Sequence, residues 1–202
     1  MPVEKGRAWG EVGPLPTGGV VVRSDAEARE VVEAARRRDE PVPALGLLGG
    51  DLCRTLGGPG DEARLHSPGA ARFPIDLGAV LLDGHLHWFC ASLVAGDRWW
   101  RRGFWALNAQ WVDGLNLGPR AHPGDGLLDT YEVAVPLRDL PRVRRRARLG
   151  AHLPYPGIKE RRAPAVQVDL GRRVPVVLDG TPVGKARAIS VRVEPEALIV
   201  VV

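Results

Sequence analysis

The stretch AVQVDLGRRVPVVLDGTPVGKARAISVRVEPEALIVVV, residues 165–202, decides the fold class. Its apolar residues fall in short runs at 165–170, 174–178, 188–193 and 198–202, interrupted by Gly171, the pair Asp179-Gly180 and Pro195. Runs of this length, rich in β-branched residues and bounded by Gly, Pro and Asp-Gly, predict strands joined by tight turns. Residues 130–136 add a fifth such run, so the C-terminal half predicts an antiparallel sandwich or barrel. Working outward, residues 75–82, the turn Asp83-Gly84-His85 and residues 86–91 predict a hairpin, because Asp-Gly readily takes the two positive φ angles of a tight turn. Residues 99–111 are aromatic and basic and fit either a helix or an irregular crossing into a strand.

The N-terminal half has a different pattern. Val20, Val21 and Val22 predict a short strand, Ser24 and Asp25 a helix cap, and Ala28, Val31, Val32 and Ala35 a helix with one apolar face. Glu40-Pro41 ends that helix. Residues 44–48 predict a second strand, and Gly49-Gly50-Asp51 opens a short helical turn that Gly57-Gly58-Pro59 closes. The order is βαβα, but two strands are too few to stand alone, so this unit must lean on the C-terminal strands. The chain is therefore expected to be α+β. Residues 1–18 form an irregular arm, 19–60 a small α/β unit, and 70–202 a β-sandwich packed against it.

A chain of 202 residues with 45% hydrophobic content can bury a real core. Its 25 Gly and 18 Pro are spread as single turn signals rather than gathered in a linker. Only Lys5, Lys159 and Lys185 are lysines among 28 basic residues, and the net charge is +4. That excess permits attraction to phosphate or anionic lipid without requiring either. Residues 1–22 contain no apolar run of signal-peptide type, and no stretch approaches the roughly 18 apolar residues of a spanning helix, which makes a cytoplasmic protein the expectation. Cys53 and Cys90 have neither a CxxC partner nor a His at zinc spacing and are expected to be buried free thiols.

Several short segments resemble, in order and spacing, the bacterial diacylglycerol kinase and lipid kinase family, which shares its two-domain plan with NAD kinases. Asp51, Arg54, Leu56 and Gly57 fall where that family has its second nucleotide loop. Ile75-Asp76-Leu77-Gly78 and Phe89 resemble the hairpin that opens its β domain. Pro119, Ala121 and Asp125-Gly126-Leu127-Leu128-Asp129 match its most specific motif, and His152, Pro164, Asp179-Gly180 and Glu194-Pro195-Glu196-Ala197-Leu198 come after it in family order. The resemblance covers residues 20–202.

The resemblance implies ATP-dependent phosphorylation of a lipid hydroxyl, and it also shows where this chain departs. The family's glycine-rich phosphate loop is replaced by Arg23-Ser24-Asp25-Ala26-Glu27, which lacks the glycines that let backbone N–H groups approach phosphate and adds the charge of Glu27. Gly50 stands at the usual Asn. Thr181 stands where the family has a glutamate proposed as the base. Family members also carry further α/β strands ahead of the loop, for which residues 1–18 are too short. The expected reading is a non-catalytic homologue with no catalytic residue, keeping a degenerate nucleotide site at Arg23, Ser24, Asp25, Gly49, Gly50 and Asp51, with ATP binding doubtful.

The alternatives left open are an active ATP-dependent lipid kinase acting on a diacylglycerol-like or sphingoid lipid and, from another class, a basic nucleic-acid-binding protein. The second has only the Arg142, Arg144, Arg145, Arg146 and Arg148 run in its favour, on a spacing that wraps around a helix, so no nucleic-acid partner is expected. Asp125 and Asp129 are candidate ligands of a structural cation such as magnesium, as the resemblance implies, or else a hydrogen-bonded Asp-Gly turn. Expected partners are a lipid or small apolar ligand, a second copy or another protein through residues 19–58, and a membrane surface against Trp99, Trp100, Arg101, Arg102, Phe104, Trp105 and Trp111, with core packing as the competing explanation of that aromatic group.

Overall fold

A computed structural model describes residues 9–97 and 102–202. Along the chain run β1 (Glu11–Val12), β2 (Val20–Val22), α1 (Asp25–Arg37), β3 (Leu45–Leu47), α2 (Gly50–Thr55), α3 (Glu62–Leu65), β4 (Ala71–Leu82), β5 (His85–Phe89), β6 (Ser92–Gly96) and β7 (Arg102–Leu107). Next come β8 (Trp111–Val112), β9 (Leu115–Asn116), β10 (Leu128–Ala134), α4 (Leu140–Ala147), β11 (Ile158–Ala163), β12 (Ala165–Leu178) and β13 (Thr181–Val201). The fold is α+β, with antiparallel pairing throughout except at β2–β3 and β3–β13.

The βαβα unit has no core of its own. Val22, Ala28, Val32, Leu45, Leu47 and Leu52 pack in one cluster with Ile75, Leu77 and Trp88 from β4 and β5. The last residues of β13 continue the parallel pair, with Val200 opposite Leu45. One sheet therefore runs through the boundary expected between residues 60 and 70, since a two-stranded layer gains its stability only by extending a larger one. The apolar face of α1 is closed within the chain: Val32 and Ala35 are buried and Val31 is half-buried. Among the described residues β2 pairs only with β3.

The arm is only partly irregular. Glu11 and Val12 pair with Arg72 and Ala71 at the edge of β4. Trp9 packs against Phe73 and His122 and donates its indole N–H to the Pro74 carbonyl at 3.1 Å, so burial of one large ring anchors the segment.

In the β layers, two breaks expected from the sequence are irregularities inside longer strands. Gly171 sits at φ +73 within β12, and Glu196 at φ +51 within β13. Both strands keep pairing beyond these points because the long partners β13 and β4 hold the register on either side. The 99–111 crossing contains β7, with Phe104 and Trp105 buried in the core. Trp99, Trp100 and Arg101 lie outside the described residues. The β4–β5 hairpin turns on Asp83 and Gly84, both at positive φ, while His85 already belongs to the strand.

Within that hairpin Gly78 faces Phe89, and a Cβ at Gly78 would collide with the Phe89 ring. Gly78→Ala is therefore expected to lower unfolding free energy by about 2 kcal/mol, the usual cost of overpacking a tight core. Urea unfolding of the two proteins checks it, and equal midpoints would contradict it.

Candidate functional site

The helices α1 and α2 start side by side, and a cleft of about 680 Å³ opens between them and the β-sandwich. Ser24, Asp25, Gly50, Asp51, Asp179 and Gly180 all line it. The fold thus brings together residues from three segments that are far apart in the sequence. Arg23 and Gly49 flank it, with the Arg23 carbonyl packed against Gly49, and Thr181 begins β13 opposite Leu178.

The start of α1 is closed by its own side chains. Ser24 is the N-cap residue, and its hydroxyl accepts from the Glu27 N–H at 3.2 Å. The Glu27 carboxylate turns back to accept from the Arg23 N–H at 2.8 Å. Asp25 does not cap its own helix, contrary to the sequence expectation. Its carboxylate crosses to α2, accepting from Asp51 N–H at 2.5 Å and Leu52 N–H at 3.1 Å. The reason is local: Gly49, the N-cap of α2, has no side chain to do this. Gly50, at φ +94, leaves the room that Asp25 fills. Burial pushes the Asp25 carboxyl up to about 6, against the pull of those two hydrogen bonds.

Asp179 and Gly180, both at positive φ, form the two-residue turn between β12 and β13. The Asp179 carboxylate is buried and accepts three backbone N–H bonds, from Cys90 at 2.7 Å, Ala91 at 2.8 Å and Ser92 at 2.9 Å. Burial, reinforced by the charge of Asp25, pushes it up to about 7. Both cysteines are free and buried, and burial raises both thiols.

Three further residues line the cleft beyond the degenerate nucleotide site expected from sequence, Arg54 among them although it falls in the second-loop match. Arg54 lies 3.4 Å over the Trp111 ring centre, a cation–π contact that fixes its guanidinium on the cleft wall. Asp113 donates its N–H to Asp51 at 2.9 Å and ties the β8–β9 turn to α2. The Asp113-Gly114 pair is the available signal for that turn. Ser92 ends the turn held by Asp179 and carries no sequence signal.

Asp125 and Asp129 lie elsewhere. The Arg162 guanidinium sits between them, paired with Asp125 and with Asp129 Oδ1 at 3.0 Å. The other Asp125 oxygen accepts from Leu127 N–H at 3.0 Å. Burial raises the buried Asp129 to about 6 even against the opposing pull of Arg162. A hard divalent cation needs about six oxygen ligands. These two carboxylates are already engaged by a fixed positive charge, and among the described residues no group of three or more His, Cys, Asp or Glu could hold a metal. With Arg162 between them, the two carboxylates do not present an open donor set for a divalent ion.

Nearby Asp76 joins three of the segments that carry the family resemblance. It is buried and accepts from Gly126 N–H at 2.7 Å and Glu196 N–H at 3.0 Å, while its own carbonyl accepts from Asn108 Nδ2 at 2.8 Å. The matching motifs at 75–78, 125–129 and 194–198 are thus bound to one another.

An α/β layer fused to an antiparallel β-sandwich, with a cleft between helix starts and sandwich, defines the lipid-kinase class of fold. The family described as YegS C-terminal NAD kinase beta sandwich-like domain matches residues 102–202, and the chain belongs to this family, whose structural relatives are diacylglycerol kinase-like. The solved structure of a diacylglycerol kinase from Bacillus anthracis str. Sterne superposes with a TM-score of 0.63 at 15% identity, covering 90% of this chain and 75% of that one. A candidate diacylglycerol kinase from the same organism gives a TM-score of 0.68 at 14% identity over 90% and 77%. At such identities the likeness speaks for the fold. No curated protein matches the chain. Among the described residues no helix is long and apolar enough to cross a membrane.

Proposed function

We propose that the chain is a non-catalytic member of the lipid-kinase family that uses its cleft to bind a lipid or small ligand without transferring phosphate. The hydrogen bonds that close the start of α1 carry this reading. The N–H groups of Arg23 and Glu27, in the segment that replaces the phosphate loop, already donate to Glu27 and Ser24. A triphosphate arriving there would have to displace a carboxylate from within its own binding loop. Phosphoryl transfer depends on positioning and charge neutralisation, so loss of that loop removes its main support. Thr181 in place of an acid removes a further factor of roughly 10² to 10⁴ in rate.

One observation favours an active kinase instead: Asp51 and Asp179, which match family motifs, line one cleft together with Asp25. Calorimetric titration with MgATP, paired with radiolabelled phosphate transfer to diacylglycerol, separates the readings. The expected result is no saturation below roughly 1 mM ATP and transfer at background. Micromolar binding with measurable transfer would establish the kinase reading. Mass spectrometry of molecules retained on the purified protein would then identify what occupies the cleft.

A further inference from the structure

A second surface is built on α4. Leu140, Val143 and Ala147 are buried, and these positions, three and four residues apart, claim the inner face of the helix. The arginines therefore take the outward side of the helix. Arg142, Arg145, Arg146 and Arg148 are exposed, as is Arg138 one turn before. The one acid in residues 137–149, Asp139, accepts from the Tyr155 hydroxyl at 2.8 Å and lies 3.9 Å from Arg138. Arginines stand four apart at 138/142, 142/146 and 144/148, a spacing at which like charges destabilise an isolated helix.

Two further features adjoin these arginines. Leu137 and Leu149, at either end of the segment, are 64% and 84% exposed, among the most open large apolar side chains described. Between α4 and the β8–β9 hairpin lies a concavity of about 570 Å³ bordered by Arg144, Arg145, Arg148 and Leu115. Asp113 borders both this concavity and the cleft, so the basic face opens beside the cleft mouth.

We propose that α4 and its flanking turns dock on the surface of an anionic phospholipid bilayer. In this arrangement Leu137 and Leu149 enter the headgroup boundary and the arginines meet lipid phosphates. A cluster of four to eight basic residues suits such a surface, and flanking apolar groups add an attraction that salt does not screen. Nucleic acid would use the arginines but gain nothing from the leucines. The proposal holds whether or not the cleft binds a ligand.

The test is co-sedimentation of the full chain with vesicles of equal phosphatidylglycerol and phosphatidylcholine, or of phosphatidylcholine alone, at physiological salt. Binding to the anionic vesicles only is expected. Arg142→Gln, Arg145→Gln, Arg146→Gln in combination should weaken it at least about tenfold, and Leu137→Ser with Leu149→Ser by about fivefold. All these side chains are exposed, so circular dichroism and thermal midpoints should match the unmodified protein, and binding is compared only among folded variants. No binding to anionic vesicles, or retention of full affinity by the triple variant, overturns the proposal. So does tighter binding to duplex DNA than to vesicles with no effect of the leucine substitutions.

Discussion

Arg162→Met is expected to lower unfolding free energy by about 3 kcal/mol at pH 7.5, the low end of what removing one member of a buried ion pair costs. Asp129 is 1% exposed, and its nearest positive charge is Arg162. Methionine fills the space of the stem and leaves a buried carboxylate unpaired. Burial already holds Asp129 near 6 with the arginine present, and without it the carboxyl moves further up. Protonation then relieves the variant on acidification, so its deficit should shrink between pH 7.5 and pH 5. Urea unfolding at the two pH values reads both effects. Magnesium added to the unmodified protein should leave its midpoint where it is. A clear rise with magnesium, or an Arg162→Met variant as stable as its parent, would restore the cation reading of Asp125 and Asp129.

The second large effect is expected at Asp179. Asp179→Ala orphans three buried N–H groups, each worth about 1–3 kcal/mol, against the relief of a desolvated carboxylate. A net loss of roughly 3 kcal/mol is expected at pH 6.5, where the carboxyl is largely neutral, and less at pH 8, where its charge is costly. The unmodified protein should show the same chemistry in its pH dependence. A carboxyl raised from 3.8 to about 7 keeps a proton in the folded state that the unfolded chain has lost. Stability therefore rises as pH falls from 8 to 6.5, by at most about 1.4 kcal/mol per pH unit for one such group. Below this window Asp25, near 6, adds in the same direction. His152, whose pKa burial lowers, opposes them below 6.5 because the unfolded imidazole takes a proton first. Thermal midpoints across pH 6.5–8, for the protein and for Asp179→Asn, measure this slope. An equally steep slope in the Asn variant would show that another group is responsible.

Asp25 and Asp179 show how a motif can be legible while its local role is not. Both stand out by sequence position, and both reach the cleft. Yet Asp25 caps the neighbouring helix and Asp179 secures the turn at residues 90–92, because each is the nearest acceptor for N–H groups that have no other. Long-range hydrogen bonds of this kind leave no periodic trace. Asn108 and Arg162, equally central, carry no sequence signal for the same reason.

The sequence by itself determined β2, α1, β3, the main strands of the C-terminal half, the Asp-Gly turns at 83–84 and 179–180, the α+β class and the family, since alternation, turn chemistry and short motifs are local properties. Only the tertiary structure decided that β12 and β13 continue past Gly171 and Glu196, that the βαβα unit shares its core with β4 and β5, that Arg162 neutralises Asp125 and Asp129, and that α4 turns its arginines outward. Each of these depends on which distant strand or side chain is adjacent in space, and adjacency is settled by burying apolar faces together.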